Sequence, residues 1–399
     1  MNILLLCGYY EEACQTEVLE KIRANHQNAA NSFQERLIEA LRGEDNALEI
    51  ISAPFVGAWP QSYSDIFFRG FREETRRNIR YVQFCNIWGW RNISRTNALK
   101  RAVKEYIMRS EGESRMIVVY SPHTPFLEAA VYAKSLDPRC RICLVVPDLP
   151  QYMNLSKDPH PIYDLFKSVD IRRFMKLNAQ VDSYMLLTKH MTEPMQVKNR
   201  PYIVVEGIVG QQISQSPVEH AGSKKITYAG TLNEAFGIRN LLDAFMMFDE
   251  ADVSLELYGN GDMKDEITRL SKLDKRIHYH GVVSADLAAQ ELRASDVLVN
   301  PRLNNEEYTK YSFPSKTLEY LNSGNAVVAY MLDGMPENYR DFLYVPADDS
   351  AETLYCALKQ ALNACSSEIR NKYKQAQEYM HTSLSPEQLS KRLAQLWQQ

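Results

Sequence analysis

The chain has 399 residues, 45% hydrophobic and 24% charged, with a formal net charge of −4. That length suits two domains of ordinary size, each able to bury a core, and the composition excludes a disordered or fibrous chain. The acidic balance argues against a general nucleic-acid binder, and no apolar run is long enough to cross a bilayer. Met1 leads directly into NILLLC with no basic n-region, so no secretory signal is expected and the predicted location is cytoplasmic. The seven cysteines are scattered, and several (Cys7, Cys143) lie inside apparent strands, as reduced core thiols would. Cys140 and Cys143 form a lone CxxC without a second Cys/His pair, inside the strand-like RICLVV. No cluster has metal-ligand spacing, and no metal or other cofactor is expected.

In chain order, short apolar runs alternate with helical patterns: NILLLC, a helix ending near Gly43, LEIIS, MIVVY with a helix from Pro125, RICLVV and SYMLLT. This alternation builds a parallel sheet with helices on both faces. After PYIVVEGIV the polar segment 206–223 reads as a linker. The scheme then restarts with ITYAG, GIRNLLDAFMMF, VSLELYG, RIHYHG, DVLVN, a helix around Lys316, and AVVAY. The expected fold class is α/β: two doubly wound, Rossmann-like domains facing a cleft. Residues 1–205 form the first, 224–375 the second, and 376–399 a helix packing back on the first.

In open parallel sheets, ligands bind beyond the carboxyl ends of the strands. CGYYEE, YSPHTP, YAGTLNEAFG, LYGNGD and YSFPSK all fall there. In YAGTLNEAFG, Gly230 permits a tight turn before a helix near Gly237, a phosphate cradle or simply a strand–helix loop. LYGNGD places Tyr258, Gly259 and Gly261 in a loop whose glycines could admit a ligand. In YSFPSKTLEY, Lys316 stands in the first helical turn, where the helix dipole disfavours a cation by roughly 0.3–1 kcal/mol unless an anion accompanies it. Glu319 is three residues on, so base and acid share a face. They form either an intrahelical ion pair or a division of labour in which Lys316 meets a diphosphate and Glu319 takes ribose hydroxyls. The latter describes a sugar nucleotide.

These stretches, with HGVVSADLAAQELRASDVLVNPR, resemble the donor half of family-four retaining glycosyltransferases of the GT-B fold, over residues 224–346. The nearest likeness is to bacterial enzymes of capsular, exopolysaccharide or lipopolysaccharide synthesis. The resemblance implies transfer, with retention, of a hexose or N-acetylhexosamine from a nucleoside diphosphate, UDP by preference, to a lipid-linked saccharide. A sugar-nucleotide epimerase or hydrolase and an inactive glycosyltransferase-like partner subunit are the alternatives. His123, Lys316 and Glu319 become the catalytic candidates. Gly230, Thr231, Tyr258, Gly259, Gly261, His280, Val282, Lys310, Tyr311, Ser312, Phe313, Pro314 and Ser315 are expected to line the donor site. Gly8, Tyr9 and Asp148 are expected to line the acceptor side. Two departures stand out: Tyr311 occupies the first acid position of the family's Glu-x7-Glu motif, and Thr231 and Phe236 fall where it carries basic residues. Glu306 or Glu307 is a substitute for the missing acid.

Residues 66–104 hold ten Arg or Lys against Glu73 and Glu74 alone, interleaved with aromatics. Phe67, Phe68, Arg69, Arg72, Arg76, Arg77, Arg80, Trp88, Trp90 and Arg91 are expected to meet an anionic membrane surface, extended by RRFMKL at 172–177. A solvated helix whose aromatics enter the core is the other reading. No nucleic-acid partner is expected.

Overall fold

The computed structural model describes residues 1–23, 28–43, 46–71, 79–109, 114–152, 161–210, 224–305 and 307–398. It divides into two compact units, Met1–Gly210 with Leu384–Gln399, and Gln211–Ser383.

The first unit is built on a seven-stranded sheet. Its strands are β1 (Asn2–Cys7), β2 (Ala47–Ser52), β3 (Ile79–Tyr81), β4 (Arg115–Tyr120), β5 (Cys140–Val146), β6 (Ser183–Leu186) and β7 (Tyr202–Val204). The order is β3-β2-β1-β4-β5-β6-β7, with every neighbouring pair parallel. Ile3 to Cys7 and Ile142 to Val146 are buried throughout, because a parallel sheet covered on both faces demands continuous apolar strands. The covering helices are α1 (Gln15–Lys21), α2 (Asn28–Leu41), α3 (Arg91–Arg109), α4 (Thr124–Leu136) and α5 (Pro161–Asn178). Phe67–Phe68 and Phe84–Cys85 form a short antiparallel ribbon. Cys140 and Cys143 are free and buried, and burial raises both thiols, which suits core packing.

The second unit has a five-stranded parallel sheet of β8 (Lys224–Thr231), β9 (Val253–Asn260), β10 (Ile277–Gly281), β11 (Val297–Asn300) and β12 (Ala326–Ala329). Its order is β10-β9-β8-β11-β12. Its helices are α6 (Ile238–Phe245), α7 (Lys264–Leu273), α8 (Ala285–Arg293), α9 (Ser315–Leu321), α10 (Ala351–Leu362) and α11 (Ser366–Tyr379). Ser284 and Ser350 each cap a helix by accepting the amide hydrogen bond of the third residue on.

The last helix, α12 (Pro386–Gln398), belongs to the first unit. Leu389, Leu393, Leu396 and Trp397 form one stripe, buried in the same cluster as Ile3, Leu5, Leu37 and Ile50. Each such leucine contributes roughly 1.5–3 kcal/mol. Arg392 donates to the Val204 carbonyl and Arg141 to that of Trp397, tying the middle and the C-terminal end of the helix. The expected return of the C-terminal helix is therefore present. The chain changes units at Ser383/Leu384, in a π-helical turn of Met380–Leu384 that follows α11.

Candidate active site

In both units the first strand of the sheet is central and ends in a glycine loop, so chemistry-bearing residues are gathered there. In the second unit, β8 ends at Gly230 and Thr231, and α9 is locked against it. The buried Tyr320 hydroxyl donates to the Ala229 carbonyl (3.2 Å) and accepts from the Ala229 amide (3.0 Å). Asn300, at the end of β11, donates to the Thr317 hydroxyl at 3.0 Å. These two ties place Lys316 over Gly230: a methyl group on Gly230 would stand 2.4 Å from its Cε and 2.9 Å from its Nζ. A side chain at 230 would have to move the lysine's end and the Tyr228 hydroxyl, 2.8 Å from the same methyl.

Lys316 makes no hydrogen bond or ion pair with any described residue, and burial lowers its pKa, opposed only by the charge of Glu319. Glu319 is exposed and not within ion-pair distance of Lys316, so the intrahelical pair offered by the sequence does not form. A half-buried ammonium without a counter-ion is costly to keep charged, and an arriving anion would relieve that cost. Because α9 has only seven residues, the cation dominates over the helix dipole here.

Other donor-side candidates are occupied or structural. Lys310 donates to Glu307 at 3.2 Å and lies over the Tyr311 ring, so neither Lys310 nor Glu307 is a free group. Glu306 lies outside the described residues. The Ser312 amide goes to the Thr309 carbonyl, and Phe313 is buried against Tyr339. Pro314 precedes α9, and Ser315 opens it exposed. Thr231 is exposed. The glycines of LYGNGD have a structural explanation. Gly259 has φ +129°, and a methyl there would fall 1.8 Å from the Gly230 carbonyl, while one on Gly261 would fall 2.3 Å from the Leu232 carbonyl. They let two loops close on each other, and backbone packing accounts for both glycines.

His280 stacks on Tyr258 with ring centroids 4.4 Å apart, and its Nε2 is 2.7 Å from Glu256, which His278 also reaches at 2.8 Å. Burial disfavours the Glu256 carboxylate, but hydrogen bonds from His280, His278 and Ser254 outweigh it and lower its pKa. Tyr258 is itself buried, its hydroxyl donating to Glu291. These groups line a groove of about 560 Å³ that includes neither Gly230 nor Lys316. Val282, just past β10, is 76% exposed. Among the described residues no group of three or more His, Cys, Asp or Glu could hold a metal ion.

In the first unit, β4 runs into Ser121, buried at φ +72°, then Pro122 and His123. A serine in the left-handed region is strained, and such strain concentrates at functional turns. His123 precedes α4 but makes no capping hydrogen bond. Its ring lies against Phe55 and Phe126, and its Nδ1 is buried without a partner among the described residues. Burial, with the charges of Arg95 and Arg91, holds it well below the usual histidine range, so the imidazole is neutral. Gly8 follows β1, but its amide already donates to Gln34, and a methyl there would lie 2.3 Å from the Phe55 ring. Tyr9 is 1% exposed, part of the core, with its hydroxyl on Glu35. Gly8 and Tyr9 are both engaged in core packing. Asp148 is exposed just past β5.

The basic aromatic segment sorts into two faces. Phe68 and Phe84 are buried and stacked on each other, and Phe174 of RRFMKL is buried too. Arg80 pairs with Glu105 at 2.6 Å, and Arg91 donates to the Val56 carbonyl. Phe68 thus belongs to the core, and Arg80 has an ion-pair partner. Arg72, Arg76 and Arg77 lie outside the described residues. Phe67, Arg69, Trp88 and Trp90 remain exposed, joined by Leu165, Phe166 and Val169 of α5, with Trp88 and Phe166 in ring contact at 5.7 Å. The sequence reading missed these α5 residues, whose exposed apolar run was the available signal. No described helix is long and apolar enough to cross a membrane.

Sequence reasoning also missed Arg302. It follows β11, and its guanidinium carbon lies 5.6 Å from the Phe236 ring centroid and 5.1 Å from that of Tyr308. No signal within VLVNPR marked it.

Residues 223–364 match the family model of glycosyl transferases group 1. No curated protein sequence matches the chain. Among solved structures, sucrose-phosphate synthase from Thermosynechococcus elongatus aligns at TM-score 0.63 and 14% identity, over 100% of this chain and 98% of that one. The lipopolysaccharide outer core galactosyltransferase WaaB, in its apo form, aligns at TM-score 0.63 and 12% identity, over 100% and 99%. HepE from Anabaena, in complex with UDP and glucose, aligns at TM-score 0.61 and 12% identity, over 100% and 99%. At these identities the likeness is one of fold: the chain has the GT-B architecture, and the stretch that matches glycosyl transferases group 1 is the one that carries Lys316.

Proposed function

We propose that the protein is a retaining glycosyltransferase that moves a hexose or N-acetylhexosamine from UDP to a lipid-linked saccharide of a bacterial surface polysaccharide, without a metal. The observation that carries this reading is Lys316, a desolvated ammonium with no counter-ion among the described residues, held over Gly230 in a segment that matches glycosyl transferases group 1. In such a transfer, negative charge grows on the departing diphosphate, and a preorganised cation in a partly water-excluded corner stabilises it most at that moment. Glu319, exposed one turn along the same face, is proposed to accept ribose hydroxyls, with exposed Val282 beside the base. His123, neutral and with a buried nitrogen that meets no described partner, suits a hydrogen bond to the transferred sugar rather than nucleophilic attack. The UDP complex of HepE, and its complex with UDP and glucose, support the nucleotide class by analogy of fold.

The exposed set Phe67, Trp88, Trp90, Leu165 and Phe166, beside Arg69, supports docking on an anionic membrane surface, where a lipid-linked acceptor would be met.

A thermal-shift panel of nucleotide sugars, followed by calorimetry on Lys316→Ala, tests the donor reading. A charge-assisted contact is worth about 1.5–3 kcal/mol, so UDP affinity should fall about 10- to 100-fold. Unchanged affinity would remove Lys316 from the site. Donor binding without turnover on a proven acceptor would favour the inactive partner subunit.

A further inference from the structure

In the first unit, the two strands beside β1 end in matching three-residue turns, and one aromatic ring spans the gap between them. After β2, the Val56 amide donates to the Pro54 carbonyl at 2.8 Å, which puts Phe55 at the apex of the turn. After β4, the His123 amide donates to the Ser121 carbonyl at 2.7 Å, around Pro122. The Phe55 ring reaches across the end of β1, where a methyl on Gly8 would stand 2.3 Å from it. It meets the His123 ring edge-on, with centroids 5.8 Å apart and planes at 81°. The turn that carries Phe55 is held from outside, by side chains. Arg95 of α3, 2% exposed, donates from Nη2 to the carbonyls on both sides of Phe55, Pro54 at 2.8 Å and Val56 at 3.2 Å. Arg91 also donates to Val56, and Asn86 donates to the next carbonyl, Gly57, at 2.6 Å.

Burying a guanidinium away from any carboxylate is costly. No described carboxylate pairs with Arg95, whose guanidinium carbon lies 4.3 Å from the Phe84 ring centroid. Its hydrogen bonds converge on a single turn, so the apex ring has little freedom. The consequence falls on His123. This residue stands at the N-terminal boundary of the thirteen-residue α4, where the positive end of the helix disfavours an imidazolium, as do its aromatic neighbours. A neutral ring carries one hydrogen. On Nδ1 it would be a buried donor with no acceptor among the described residues, whereas a bare Nδ1 is the lesser deficit. The hydrogen therefore belongs on Nε2. Phe55 and Phe126, whose centroids lie 5.8 and 5.1 Å from that of His123, oppose a turn of the imidazole that would exchange the surroundings of its two nitrogens.

We infer that Arg95 and Phe55 are positioning residues for His123: the arginine fixes the turn, the ring at its apex fixes the imidazole, and the imidazole offers Nε2–H to its ligand as a hydrogen-bond donor. This rests on the reading of His123 as a contact of the transferred sugar and assigns that contact to Nε2. The bond is then donated to a sugar oxygen, and His123 does not take up a proton there. Gly8 has its place in the same arrangement, because it leaves the space through which Phe55 crosses from the end of β2 to the end of β4.

The test is a long-range proton–nitrogen correlation spectrum of the isotope-labelled full chain near pH 7.5, which tells the two neutral tautomers from each other and from the imidazolium. The signals of His123 are those lost in His123→Phe. The unaltered protein should show Nε2–H in about tenfold excess or more. Arg95→Met frees the turn and should lower that excess to about threefold or less, in a chain still folded by circular dichroism. Phe55→Leu, which leaves the arginine bonds to the turn in place, should do the same, and it serves alone if Arg95→Met does not fold. An Nδ1–H tautomer or an imidazolium in the unaltered protein overturns the inference. An unchanged excess in folded Arg95→Met overturns it too, since the arginine is then a loop anchor and nothing more; so does an unchanged excess in Phe55→Leu. The measurement needs no ligand, so it is separable from the nucleotide-sugar reading. The expected tautomers in a chain that binds none of UDP, GDP and ADP would uphold the positioning and overturn the sugar as its object.

Discussion

Gly8 and Gly230 occupy the same topological place, at the carboxyl end of the first and central strand of a doubly wound sheet. What fills the space left by the missing side chain differs. Over Gly8 it is the Phe55 ring, itself packed on Tyr120, His123 and Phe126, and the Gly8 amide is taken by Gln34. Over Gly230 it is the end of a lysine that pairs with no described residue. The same place is filled by hydrocarbon in one unit and by the end of a basic side chain in the other. A glycine loop after a first strand is thus not a binding site in itself; the residue brought over it from another element decides.

This contrast can be broken by adding one methyl to each glycine. Gly8→Ala must displace a ring wedged among three others and should cost about 1–3 kcal/mol of stability in chemical denaturation. Gly230→Ala meets the flexible end of Lys316, which can swing away, so stability should hold while UDP affinity drops about tenfold by calorimetry. A stability loss at Gly230 equal to that at Gly8 would erase the distinction. A smaller effect concerns His123. The unfolded chain takes up a proton near pH 6.5 that the buried, folded imidazole refuses. The unfolded state then binds more protons, so stability falls as pH drops below about 6.5. Between pH 7.5 and 5.5 the protein should lose about 1 kcal/mol more than His123→Phe does, measured by urea denaturation at each pH. The smallest stability effect belongs to Trp88→Ala with Trp90→Ala, within about 0.5 kcal/mol for each exposed site. That double variant should nonetheless fail to float with vesicles containing anionic lipid, and flotation equal to that of the unaltered chain would remove the membrane surface.

The alternation of apolar runs with helical patterns was enough to read two parallel sheets, because buried parallel strands are continuously apolar. RICLVV and DVLVN could hardly be anything else. The turn at Gly230 and the oddness of Lys316 were legible too, since both are local. Their meeting was not: it depends on Tyr320 reaching Ala229 and Asn300 reaching Thr317, ties that no periodicity encodes. Arg302 was hidden for the same reason, its partners lying on two separate loops. Tyr9 turns back from the loop after β1 into the core, a direction that no local pattern encodes. In the basic segment, composition could not separate Phe68 and Phe84, which stack inward, from Trp88 and Trp90, which do not.

The placement of α12 has a consequence for synthesis. Its leucines and Trp397 complete a core whose other walls include Ile3 and Leu5 from the first strand. While the chain is being made, those walls leave the ribosome early and must wait for nearly the whole polypeptide before their last apolar surface is covered. The second unit, whose segment ends at Ser383, has no such wait. The part translated first is thus the part finished last, and a ribosome stalled anywhere before residue 386 leaves an open hydrophobic face on the nascent chain.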